Sequence, residues 1–286
     1  MQLPESFPDD VMEEAQRSAA RGFKDDHEDR LDIPFVTIDP PGSIDLDQAF
    51  HAERAGQGFQ LHYAIADVGW FVIPGGAVDR DSRVRGETLY SPDERVTLYP
   101  PPLEHAASLL PGETRPCVLW SIQLDGDANP VEVRVARAIV RSRQQLTYEG
   151  VQRALDTGGA DESLLLLREI GELREARERD RGGVSLNIPA QEVERSGDRY
   201  HLGYAAPYPV EGWNAQISLL TGMCAARLML DGGVGLARTL PEADPGSIAM
   251  LRRSARALGV PWEDGRPYPE FIRGLDPTIP DHAALM

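Results

Sequence analysis

Asp39, Asp45 and Asp47 place three carboxylates within nine positions, directly behind the apolar run Phe35-Val36-Thr37-Ile38. A run so rich in β-branched and aromatic residues predicts a strand. Pro40-Pro41-Gly42-Ser43 then forces a turn. The acids therefore belong to a strand end and the loop behind it. Asp45 and Asp47 alternate with Leu46, so in extended chain both point the same way. Carboxylates held that close repel unless something neutralises them, and a hard divalent cation with oxygen ligands is the usual solution. An EF-hand does not fit, because its acids alternate from the first loop position and Asp39 is set apart here. The residues alone leave a plain alternative open, a solvated acidic turn without a ligand.

A chain of 286 residues and 31.5 kDa can bury a substantial core, as one large domain or two smaller ones. No apolar run is long enough to span a bilayer, so no membrane partner is expected. The first residues carry neither a basic region nor an apolar stretch, which reads as a cytoplasmic protein without a secretory signal. Cys117 and Cys224 stand far apart in apolar stretches and read as buried thiols. A net charge of −17 argues against loose electrostatic attraction to nucleic acid, although a local basic channel remains compatible with it. Lys24 is the only lysine, so arginine supplies nearly all the positive charge. Arginine clamps phosphate bidentately, and genome base composition produces the same bias.

Periodicity predicts a helix over 8–21 and a charged connector from Lys24 to Asp32. Strands follow over 35–38 and 59–66, and 117–124 with 131–141 read as an antiparallel pair joined at Gly126-Asp127-Ala128-Asn129-Pro130. Helices are expected over 161–181, 211–230 and 245–258, the last with Asp244 as N-cap and Gly259 beyond its end. The tail from Pro261 reads as having no terminating structure of its own. Strands first and helices later suggest an α+β fold with a mixed or antiparallel sheet.

Laid out in this way, the chain resembles the ribonuclease II (RNB) family of 3′→5′ exoribonucleases. The acidic segment from Phe35 to Asp47 is similar to the family's signature. Tyr63-Ala64-Ile65-Ala66-Asp67-Val68 resembles its "HIADV" strand, and Arg85-Gly86-Glu87-Thr88-Leu89-Tyr90 its "RGTSVY" segment. Val96 to Pro100, then Ala107 to Gly112 with Arg115, resembles its "PMLP…SLxPGxxR" stretch. The resemblance implies an RNB-type catalytic domain over 31–286, behind an N-terminal helical extension over 1–30. It implies Mg²⁺ as cofactor, held by Asp39, Asp45, Asp47 and the residue at Gln48, with Asp47 needed for chemistry. It also implies a single-stranded RNA substrate hydrolysed to nucleoside 5′-monophosphates, with Tyr90 stacking on the 3′-terminal base and Arg85 and Arg115 as phosphate contacts.

Four departures qualify the expectation. Gln48 stands where the family has a fourth acid, and Leu186 where it often has a second stacking aromatic. Asn214 to Thr221 replaces an acidic helix segment. The family's arginine-rich C-terminal segment is absent, as are its cold-shock and S1-like modules, so the domain reads as C-terminally incomplete. A protein partner or a missing segment is expected to complete the site. The alternative is a catalytically weak or inactive RNB-fold module for RNA binding or protein interaction. A hydrolase of some other phosphoester is a third reading.

Overall fold

Strands dominate the first half of the chain because apolar residues recur there on alternate positions, and each strand offers one apolar face to its neighbour. The structure is a computed structural model and describes residues 6–22, 27–91, 95–186, 188, 190–197, 199–239 and 241–286. Lys24 with the start of its connector, and Asn187 and Pro189, lie outside the described residues.

Packing divides the chain into two compact units, Met1–Leu167 and Arg168–Met286. The first opens with α1 (Asp9–Ala19), β1 (Glu28–Asp29), β2 (Val36–Asp39), β3 (Gln48–Ala55) and β4 (Gly58–Ala66). Helices α2 (Val68–Phe71) and α3 (Ala77–Arg85), the short β5 (Leu89–Tyr90) and β6 (Arg95–Val96), and α4 (Pro101–Ala107) follow. Long strands β7 (Thr114–Leu124) and β8 (Pro130–Arg141) return to the sheet, then β9 (Gln144–Thr147) and α5 (Tyr148–Thr157), and α6 (Glu162–Asp180) begins in this unit and ends in the second.

Seven strands form one mixed sheet in the order β1-β8-β7-β4-β3-β2-β9. The pairs from β8 to β2 are antiparallel, whereas β1 on β8 and β9 on β2 are parallel. The fold is therefore α+β with a mixed central sheet, as the sequence suggested. Register sorts the side chains. Phe50, Tyr63 and Trp120 face each other on one side, and Ala49, Ala64 and Leu119 on the other. Phe35, Leu46 and Val140 pack with the second set. Full burial of a Phe or Leu side chain stabilises the fold by about 1.5–3 kcal/mol, so these layers fix the register firmly.

The first helix is tied to the body of this unit. Val11 and Ala15 pack with Trp70, Val78 and Leu103. The Glu14 carboxylate accepts hydrogen bonds from the backbone N–H of Ala77 (2.8 Å) and Val78 (3.1 Å), supplying the acceptors that the start of α3 lacks.

The second unit contains a hairpin absent from the sequence expectation, β10 (Ala190–Ser196) with β11 (Arg199–Ala205), then α7 (Pro209–Gly232) and α8 (Pro245–Ala257). A Cβ at Gly171 would come within 2.4 Å of the Trp213 side chain, so glycine allows that close approach. Asp244 caps α8 by accepting from the Ser247 N–H at 2.8 Å, as its sequence position predicts. The tail corrects the expectation of no structure. It forms α9 (Tyr268–Arg273) and α10 (Pro280–Ala283), with Phe271, Ile272, Leu275 and Leu285 buried against Ala255 and Val260. Trp262 stacks on Phe271 with ring centroids 3.8 Å apart. Both cysteines are free and buried.

Candidate functional site

The acidic segment is built by the sheet and its turns. Asp39 is the last residue of β2, where it pairs with Thr147 of the parallel β9. The Thr147 hydroxyl in turn caps α5 by accepting from Gly150 N–H at 3.1 Å. The chain then reverses through Gly42, whose φ of +82° favours glycine. The Ser43 hydroxyl donates to the Pro40 carbonyl (2.9 Å), and the Gln145 side chain donates to the Ser43 carbonyl (2.9 Å). Leu46 is fully buried, and its carbonyl accepts from Leu109 N–H at 2.8 Å. The Asp47 carbonyl accepts from Ala66 N–H at 2.9 Å. The backbone around both loop acids is thus pinned while Asp45 and Asp47 stay outside the core.

Electrostatics mark this as a strained place. Burial, then the charges of Asp47 and Asp45, push the Asp39 carboxyl up to about 6. Desolvation and the Asp45 charge also raise Asp47. One Asp39 oxygen, Oδ2, is buried without a hydrogen-bond partner. A buried, unpartnered carboxylate oxygen beside two further acids suits a hard cation in donor chemistry and in charge. As they stand, no three His, Cys, Asp or Glu side chains among the described residues are gathered closely enough to enclose an ion. Gln48 opens β3 opposite Ile65 and is exposed.

Asp45 is held by a neighbouring hairpin. Tyr90 and Arg95 are paired across β5 and β6. The Tyr90 hydroxyl donates to Asp45 Oδ2 at 3.2 Å, and Arg95 Nη1 lies 2.9 Å from the same oxygen. Arg95 Nη2 reaches Glu104 Oε2 at 2.8 Å. Burial is the main cause that raises Glu104, and Arg95 opposes it. The Tyr90 ring is otherwise open, with 71% of the residue exposed. Arg95 and Glu104 were missed at the sequence level. The signal was the short Ser91-Pro92-Asp93-Glu94 segment, which sets Arg95 opposite Tyr90 if it is read as a hairpin turn.

The two arginines expected to contact phosphate hold other partners. Arg85 Nε pairs with Asp81 Oδ2 at 2.7 Å, Nη2 donates to the Ser6 carbonyl at 2.7 Å, and the guanidinium lies 3.7 Å from the Phe7 ring centroid. Arg115 Nε donates to the Ser108 carbonyl at 3.0 Å, and Nη2 pairs with Glu113 at 2.7 Å. Asp67, within the "HIADV"-like strand, is buried, pairs with Arg137 at 2.8 Å and caps α2 at Trp70 N–H. No helix among the described residues is long and apolar enough to cross a membrane.

Known proteins are similar to this chain in sequence and in fold. The family model for the RNB domain matches residues 27–256. Ribonuclease R of Acidithiobacillus ferrooxidans is 33% identical over 157 residues, covering 54% of this chain and 36% of that protein. Among solved structures, Mycoplasma genitalium RNase R in complex with ribose methylated single-stranded RNA superposes with a TM-score of 0.82 at 20% identity, covering 94% of this chain and 45% of that one. Yeast Ssd1, a pseudonuclease, superposes with a TM-score of 0.69 at 18% identity, covering 91% of this chain and 33% of that one. This chain spans less than half the length of each. At these identities the structural likenesses establish the fold alone. With the family model running from the first sheet strand into α8, the chain belongs to the RNB domain family.

Proposed function

We propose that this chain is the catalytic part of a Mg²⁺-dependent 3′→5′ exoribonuclease that hydrolyses single-stranded RNA to nucleoside 5′-monophosphates. The observation that carries the reading is the acidic strand end, where the orphaned oxygen of Asp39 sits among mutually repelling carboxylates. Bound Mg²⁺ would neutralise phosphate charge and make water nucleophilic at neutral pH. Asp39 and Asp45 would hold it, and the Gln48 amide oxygen could serve as a neutral ligand. Asp47, whose carboxyl is raised, is suited to accept a proton near the scissile bond. The exposed Tyr90 ring would stack on the 3′-terminal base, a contact worth about 1–3 kcal/mol and indifferent to sequence. Phosphate contacts by Arg85 and Arg115 would require both guanidiniums to exchange partners they now hold.

The test is a single-turnover digest of 5′-labelled single-stranded RNA with Mg²⁺ and with EDTA. The reading expects a ladder shortening from the 3′ end, lost in EDTA. Internal cuts, or cleavage confined to small phosphoesters, would overturn it.

A second reading is a catalytically silent RNB module that binds RNA or a protein. The Arg95–Asp45 pair and the neutral Gln48 favour it. Folded protein that binds RNA and never cuts it would establish that reading.

A further inference from the structure

Asp45 Oδ2 receives two donors, from Tyr90 and Arg95, which face each other on one hairpin. The cation among them is Arg95, and it is shared. One guanidinium nitrogen lies 2.9 Å from Asp45 and the other 2.8 Å from Glu104. Both carboxylates are partly shielded, with side-chain exposures of 29% and 18%. A guanidinium at that distance occupies a lone pair of Asp45 and repels any second cation approaching the same oxygen. Glu104 gives it somewhere else to stay. Released from Asp45, Arg95 keeps one charge-assisted hydrogen bond and needs no new partner. A cation taking that oxygen would also displace the Tyr90 hydroxyl, which lies 3.2 Å from it.

We infer that Arg95 is a resident counter-ion that competes with divalent metal for Asp45, with Glu104 as the parking site that makes the exchange affordable and Tyr90 freed when it occurs. This rests on the reading of the acids as a metal site and adds a positioning residue to it. Neither Arg95 nor Glu104 touches the reacting atoms in this account. Their effect is on when the acids assemble and whether the Tyr90 ring is free to move.

The test is a titration of the full chain with Mg²⁺, and separately Mn²⁺, followed by calorimetry and by the rise in unfolding temperature. Wild type, Arg95→Gln, Glu104→Gln and Asp45→Asn are compared. Loss of a charged hydrogen bond that opposes the metal should tighten binding in Arg95→Gln by about tenfold. Glu104→Gln should act in the opposite direction, because Arg95 then has Asp45 as its remaining carboxylate partner here. Opposite signs in two variants of one ion-pair network are not produced by partial unfolding, which weakens both. Unchanged or weaker binding in Arg95→Gln, with wild type binding normally, would overturn the competition and leave the metal site standing. Binding that is equally weak in all four proteins would overturn the metal site itself, and the inference with it.

Discussion

Asp39 and His62 lie on strands of one sheet, and burial disfavours the charged form of each, yet the two sites resolve that cost differently. His62 is drawn down to about 4, by burial first and then by Arg30 and His51. Its Nδ1 lies 3.0 Å from the Ser121 hydroxyl, and its ring is stacked near His51 across β3 and β4. At neutral pH it is an uncharged, hydrogen-bonded group in a polar trough with Gln60, Gln123 and Arg30. Asp39 is driven up to about 6 and still leaves a buried oxygen unpartnered. The contrast separates scaffold from site. A titratable group that burial has neutralised and a neighbour has satisfied needs nothing further, whereas a carboxyl strained by burial and by two like charges, with one oxygen left unpartnered, is a candidate for a ligand.

The comparison can be broken in several ways. The largest effect belongs to the acids. Asp47→Asn should lower single-turnover RNA cleavage by about a thousandfold, with the RNA dissociation constant nearly unchanged. Equal losses in binding and cleavage would make Asp47 a binding residue. Next comes His62. Its folded pKa lies below the unfolded value, so its contribution is present above about 6.5 and is lost as pH falls towards 4. That loss should reach about 3 kcal/mol in urea unfolding at pH 4, and His62→Gln should remove most of it. A profile identical in the variant would mean that His62 is not the satisfied, neutral group described above. Smaller still, Tyr90→Ala should weaken RNA binding by roughly tenfold through lost stacking, while Tyr90→Phe keeps the ring and most of the affinity. If Tyr90→Phe loses as much as Tyr90→Ala, the hydroxyl bond to Asp45 is what matters.

Much of this was legible in the residues. Phe35 to Ile38 announces the strand that carries Asp39, because β-branched and aromatic residues suit a pleated, buried surface. The 117–124 and 131–141 pair and the Asp244 cap follow equally local rules. What local rules do not encode was missed. The tail folds because Trp262, Phe271 and Leu285 meet across long sequence separations, with neither a strand nor a long helical period to announce them. In the β10–β11 hairpin, Tyr200, Leu202 and Tyr204 alternate on β11, but β10 is mostly polar with Val193 alone as a large apolar residue, so the pairing was not read. The acids were found because three of one sign stand together. The hold of Arg95 on Asp45 was not, because it depends on a hairpin bringing a distant segment to the loop.

The charge of Asp39 is a cost the fold bears for a cation. The most direct measurement is the unfolding free energy of metal-free wild type and Asp39→Asn from pH 7.5 to 5, repeated with Mg²⁺. Because the folded pKa is raised, the ionised form destabilises above about 6, and the penalty vanishes as pH falls towards the unfolded value of 3.8. The variant should therefore be more stable than wild type by roughly 2 kcal/mol at pH 7.5, with the gap narrowing to about half of that by pH 5. Added Mg²⁺ should reverse the order by stabilising wild type alone. A variant less stable than wild type without metal, or Mg²⁺ that stabilises both proteins equally, would contradict the claim.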